Sequence, residues 1–250
     1  MDIASLSTTA AAARLISSRA NTQSDVDPAA QAFQNADRRV QKQRDSVSVQ
    51  LSAFGQIKSS FSDAQVAARA LGDTKQTATD ADIKKAASNF VKAFNTAAQT
   101  AKSATAAQGA LADNGRARLA GNDLRRTVSN DATATSDLKK IGITQQKDGT
   151  LAIDTKKFDA ALKASPDALR STLSSIGQKV DQTATRELAK NGNIGNSVNS
   201  LDNRARSLES RQVDPLAQAA AVQQLVSAQT TRLNNSLNTG AAAYERIFSI

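Results

Sequence analysis

The sequence predicts a mainly α protein: long paired terminal helices in a coiled-coil-like bundle, with a small β-hairpin subdomain between them. Three observations predict it. Phe33, Val40, Val47, Phe54, Phe61 and Ala68 recur every seven residues, and Ala36, Ile57, Ala64 and Leu71 follow three places after four of them. A spacing that alternates between three and four gives a helix one apolar seam for another helix. Near the carboxyl terminus Leu216, Val222, Val226, Leu233, Leu237, Tyr244 and Phe248 form a second stripe. Only one place reads as β structure, two short runs around Asp148-Gly149.

Composition agrees with helices packed in pairs or threes. Aromatics are 3% of the 250 residues, with no Trp, which is too little bulk for a thick globular core. There is no His and no Cys. Imidazole acid–base chemistry, thiol nucleophiles, disulfides and the soft metal ligands are therefore excluded. The net charge is +9, from 32 basic and 23 acidic residues. Such a charge attracts nucleic acid or an anionic surface. Its densest runs, however, are only Arg38-Arg39 with Lys42 and Arg44, and Arg125-Arg126. Without like-charge blocks, the charge reads as the scattered surface of a helical protein.

The first segment, 1–28, reads as a flexible amino-terminal export or assembly segment. Met1 to Asp27 carries little apolar bulk, and no basic region precedes a long apolar core, so it is not a secretory signal peptide. An uncleaved export signal is compatible with it. No apolar run approaches the ~18 residues of a membrane span.

Residues 29–130 read as a helical region. The seam from Ala29 to Leu71 predicts one helix of roughly 65 Å, with Gln43 and Gln50 interrupting its interleaved positions. Gly72 to Asp82 is polar and turn-rich, and Thr79 or Asp80 suits a helix cap. A second helix follows from Ala81 to about Ala107, with Ile83, Ala87, Phe90, Phe94, Ala97 or Ala98, and Ala101 inward. Asn114-Gly115 marks a turn. Arg116 to Val128 then reads as a shorter helix with Leu119, Leu124 and Val128 inward, and Asp131 to Ser136 as a polar connection.

Residues 131–178 read as the hairpin and short-helix subdomain. Ile141 to Thr144 and Thr150 to Ile153 flank Lys147-Asp148-Gly149, whose Gly supplies the positive φ of a hairpin turn. Asp154 can cap a helix starting at Thr155, with Phe158, Ala161 and Leu162 inward. Ser165-Pro166 restarts the chain, Ser as cap and Pro at the first helical position, and Leu169, Leu173 and Ile176 follow. A lone hairpin is marginal in water, so it must lean on its neighbours.

Residues 179–250 read as the carboxyl-terminal long helical region. Val180 to Leu188 is helical, Asn191 to Gly195 is a loop, and Ile194, Val198, Leu201, Ala205 and Leu208 resume the stripe. Pro215 is expected to kink or restart the helix. The simplest packing lays the two terminal helices side by side. The residues assigned to seam packing and assembly are Phe33, Val40, Val47, Phe54, Phe61, Val226, Leu233, Leu237, Tyr244 and Phe248, with Asp148 and Gly149 as the hairpin turn.

No catalytic, cofactor-binding or metal-binding residues are assigned. The chain has no Gly-rich phosphate loop, no dinucleotide fingerprint and no Gly-x-Ser-x-Gly elbow. Asp148 beside Gly149 lacks the oxygen-ligand spacing of a calcium loop. The expectation is a non-enzymatic, structural protein.

Leu138 to Asp154 (LKKIGITQQKDGTLAID) and Lys156 to Leu173 (KKFDAALKASPDALRSTL) resemble the carboxyl-terminal region of the bacterial flagellar filament cap protein, the hook-associated protein 2 family. Phe90 to Asn95 (FVKAFN) is similar to that family's Phe-Val-x-x-Tyr-Asn helix, with Phe94 in place of Tyr. Gly109 to Val128 and Leu51 to Leu71 match its helices in order. The resemblance implies a secreted structural component of the bacterial flagellum. It would be exported without a cleaved signal peptide through the type III export apparatus, with a chaperone beforehand. It would form a homo-oligomer, contact flagellin and hook–filament junction proteins, and assist filament assembly. Family members usually insert central plate domains where this chain has only Gly72 to Asp82, so the resemblance implies the leg region with a small hairpin. That is a minimal cap or an accessory relative. Two other classes stand beside it: a basic cytoplasmic nucleic-acid-binding protein, and a helical flagellar export chaperone or regulator. Aromatic stacking platforms are missing for the first.

Overall fold

The computed structural model describes residues 28–73 and 78–248; the segment expected to serve export or assembly, up to Asp27, lies outside them. Among the described residues, seven helices and one hairpin follow in order. They are α1 (Pro28–Gly72), α2 (Asp80–Ala104), α3 (Gly115–Ser129), α4 (Ala132–Lys140), β1 (Ile143–Gln145), β2 (Leu151–Ile153), α5 (Thr155–Ala164), α6 (Pro166–Leu188) and α7 (Asn193–Phe248). The protein is mainly α, as the periodicity predicts. The chain divides into two units: Arg44–Ser207, and the remaining described residues, 28–43 and 208–248.

α1 is one helix of 45 residues, or roughly 68 Å. Within Arg44–Ser207 its seam is core: Val47, Phe54, Ile57, Phe61, Ala64, Ala68 and Leu71 are all buried. The partner along its last turns is α6. Gln65 donates to Thr185 Oγ1 at 2.6 Å, Arg69 pairs with Asp181 at 2.8 Å, and Ser174 donates to the Gly72 carbonyl at 3.0 Å. Partner numbers fall as α1 numbers rise, so the two helices run antiparallel. Further back, Gln50 shares a groove with Ser197, Leu201 and Arg204 of α7. The carboxyl-terminal half of the chain thus covers this part of the α1 seam, α6 first and the start of α7 next.

α2 starts one residue earlier than the periodicity predicts. Its cap is Thr79, which accepts from the Asp82 N–H at 3.2 Å while Asp82 accepts from the Thr79 N–H at 3.2 Å. This reciprocal pair satisfies two otherwise orphaned donors. All the expected inward residues of α2 are buried, together with Val91. Phe90 and Phe94 pack with ring centroids 6.0 Å apart, tilted by 44°.

Five local expectations need correction. Leu119 faces outward, 51% exposed, and the buried stripe of α3 is Ala117, Ala120, Gly121, Leu124 and Val128. Asp131 to Ser136 is not a connection but the cap and first turns of α4: Asp131 accepts from the Thr133 and Ala134 N–H groups. Ser165 precedes α6 but makes no side-chain capping bond, and Pro166 begins the helix without one. Pro166–Leu188 is a single helix of 23 residues, and α7 passes through Pro215 without restarting.

β1 and β2 pair antiparallel, with Ile143 opposite Ile153 and Gln145 opposite Leu151. Asp154 caps α5 as expected, accepting from the Lys157 N–H at 3.1 Å. Glu187 ties α6 to α7. Its carboxylate is buried and accepts from Asn193 Nδ2 at 2.8 Å, with Arg186 Nε 3.4 Å away. No helix among the described residues is long and apolar enough to cross a membrane.

Candidate assembly surface

The hairpin is tied to the helices before it by one side chain from each partner, Asn95 of α2 and its own Gln145. Asn95 on α2 donates to the Leu151 carbonyl at 2.8 Å and accepts from the Leu151 N–H at 2.6 Å. Its amide thereby acts as one more peptide unit along the outer edge of β2. That answers the edge groups that would otherwise lie open in so small a sheet. Gln145 donates to the carbonyls of Arg125, on α3, and Gly149. Substituting Asn95→Ala is expected to cost about 1–2 kcal/mol, because it leaves both Leu151 groups half-buried without a partner. Hydrogen exchange at the Leu151 amide should accelerate accordingly, and an unchanged rate would remove Asn95 from this role.

The turn residues sit where the sequence places them. Gly149 has φ +87°. That backbone conformation requires glycine, and a Cβ there would also displace the Arg125 side chain. Asp148 accepts from the Thr150 hydroxyl at 2.6 Å and the Thr150 N–H at 3.0 Å.

Three aspartates in these caps and turns have carboxyls held below the usual range. For Asp148 the cause is the Thr150 hydroxyl, then the Thr150 N–H. For Asp131 it is the Lys179 ammonium, 2.8 Å away, then the Ala134 N–H. For Asp82 it is the Thr79 hydroxyl, then the Thr79 N–H. A carboxyl lowered in the folded state stabilises fully above its unfolded value near pH 3.9, and the contribution disappears as pH falls through the folded value. The urea midpoint is therefore expected to stay level from about pH 7 to 5 and to drop below about pH 4. Asp131→Asn combined with Asp148→Asn should shallow that drop; an equally steep drop in the double variant would assign it elsewhere.

The assigned seam residues fall into three groups. Val47, Phe54 and Phe61 are buried, and Val40 is half-buried. Leu233 and Leu237, one turn apart on α7, are 62% and 67% exposed. The side chains of Phe33, Val226, Tyr244 and Phe248 lie outside the described residues. Of the six whose side chains are described, three are thus internal core and two are surface. Asn95, Arg125, Glu187 and Gly177 were not singled out by periodicity. The signal for Asn95 was a polar residue directly after Phe94, beside the buried stripe.

The described residues thus form a mainly α protein with a braced two-stranded hairpin and two exposed leucines on α7. A family model described as the flagellar hook-associated protein 2 C-terminus matches residues 72–243. The chain belongs to the flagellar hook-associated protein 2 family. That family is a structural one, a component of the bacterial flagellum associated with the filament cap, filament assembly and motility. Its setting is the flagellar filament and an oligomeric assembly, and its members are exported to the filament tip. No curated protein matches the chain in sequence.

Proposed function

We propose that this chain is a cap-like flagellar component that forms homo-oligomers through its terminal helices and contacts filament subunits to assist assembly. In this reading flagellin and hook–filament junction proteins are its partners. The type III export apparatus and a chaperone handle it before secretion, and no signal peptide is cleaved. Segment 1–28 serves export and assembly. Residues 29–130 and 179–250 are its helical regions, and 131–178 is its hairpin and short-helix subdomain. Of the residues assigned to helix-seam packing and assembly, Val47, Phe54 and Phe61 pack inside one chain, and Phe33, Val40, Val226, Leu233, Leu237, Tyr244 and Phe248 are taken to build the assembly seam.

The supporting observation is the exposed pair Leu233 and Leu237. Single exposed leucines are ordinary, but two on one helical face, in a family of assembly components, give a seam that needs a partner. Leu233→Asp combined with Leu237→Asp is expected to change folding stability by no more than about 0.5 kcal/mol, since both are surface positions. The same pair should shift the protein from oligomer toward monomer in sedimentation velocity. It should also abolish crosslinks to filament subunits. Immunoblotting of sheared flagella and culture supernatant tests the location, and a strictly cytoplasmic protein would contradict the proposal.

A further inference from the structure

The face of α1 turned away from α6 carries a second apolar surface. Val66, Ala67 and Ala70 of α1, with Ala86 and Ala93 of α2, line an open groove of about 470 Å³. Val66 is 67% exposed although it is β-branched and apolar. The charged groups at the groove are Asp63 and Lys92, which cancel. Its apolar walls are short side chains, with Asn89, Lys92 and Thr96 beside them on α2, so a helix laid along the apolar part approaches closely and fills the space with its own bulk.

The same chain carries a matching convex surface. Leu233 and Leu237 project from α7 one turn apart, both exposed. Between Ser227 and Thr239 the only ionisable side chain is Arg232, next to Leu233. This matters because two copies of a chain with net charge +9 repel each other. They can meet closely only where positive charge is sparse. The groove is neutral, the leucine segment carries one charge, and Asp63 offers that charge a partner.

We infer that the α1–α2 groove receives the Leu233–Leu237 face of α7 from a second copy of this chain, with Arg232 facing Asp63. The inference rests on the self-assembly proposed above and names its contact. The two surfaces differ, so the contact is head-to-tail. Each copy bound through its groove still presents its own α7, and assembly continues until a ring closes or an open array grows.

Crosslinking between single-cysteine chains tests this directly, because the chain has no cysteine of its own. Full-length Val66→Cys and Leu233→Cys chains, carrying different tags, are mixed and oxidised. The mixed disulfide dimer is expected in roughly tenfold excess over either homodimer, the preference that specific docking confers over random encounter. As a second measurement, Asp63→Arg and Arg232→Glu should each weaken self-association, and a mixture of the two variants should restore it. Oligomers that form without the mixed crosslink overturn this contact and leave the proposed self-assembly standing. A chain that remains monomeric overturns both. Predominant Val66→Cys homodimers, a crosslink formed only inside a doubly substituted chain, or capture of filament subunits in place of a second copy each overturn the contact as well.

Discussion

Phe61→Ala is expected to destabilise Arg44–Ser207 by about 3–5 kcal/mol, the usual cost of deleting a fully buried aromatic ring and leaving its cavity. Phe61 has no exposed surface and lies in a run of buried seam residues, Phe54, Ile57, Ala64, Ala68 and Leu71. The surrounding helices are tied across α1 at Gln65, Arg69 and Gly72, so they cannot collapse freely into the space. The matched control is Leu233→Ala, which removes an exposed side chain of the same seam pattern and should change stability by no more than about 0.5 kcal/mol. With no Trp and a single Tyr, urea unfolding is best followed by far-UV circular dichroism. Equal midpoints for the two variants would mean that the α1 seam is not the core of this unit.

That contrast shows how far the sequence was legible. Periodicity identifies a seam but not which neighbour covers it. Phe61 and Leu233 carry the same signal, yet one is internal packing and the other is surface. Long helices with dense seams read correctly because many weak signals add in phase. Asp154 and Gly149 read correctly, and Thr79 is one of the two caps read beside Asp80, because capping and positive φ are local requirements.

α4 is not legible from periodicity because ATATSD has no apolar stripe. Its one buried side chain is Leu138, and the helix is specified by the Asp131 cap and held by Lys179 from α6. Lys179 is 48 residues away, beyond any local window. Leu119 was misplaced for a related reason. The size of leucine suggests the inner face, but around Leu119 α3 buries Ala117, Ala120 and Gly121, whose added Cβ would come 2.9 Å from the Ala101 Cβ of α2, while Leu124 and Val128 are buried further along. Close helix approach makes small residues the buried ones.

Gly177 carries the same logic to its largest consequence. It lies inside α6, where glycine normally costs about 1 kcal/mol relative to alanine, so propensity alone predicts that Gly177→Ala stabilises the protein. The packing predicts the reverse. A Cβ at Gly177 would stand 2.5 Å from the Ala68 carbonyl oxygen and 2.8 Å from the Gly72 nitrogen. Both are backbone atoms of α1, so no side chain can turn aside, and the helices themselves must separate. Separation lengthens the bonds from Ser174 to the Gly72 carbonyl and from Arg69 to Asp181. The expected net loss is roughly 2–3 kcal/mol, with overpacking outweighing the helix-propensity gain. Gly55→Ala is the paired case. Gly55 is exposed within α1 and an added Cβ meets nothing within 4 Å, so there the propensity term acts alone and stability should rise by up to about 1 kcal/mol. Opposite shifts of the urea midpoint for one chemical change in two helices would establish backbone-to-backbone contact between α1 and α6. Stabilisation by both would show that the helices stand further apart at Gly177 than these distances require.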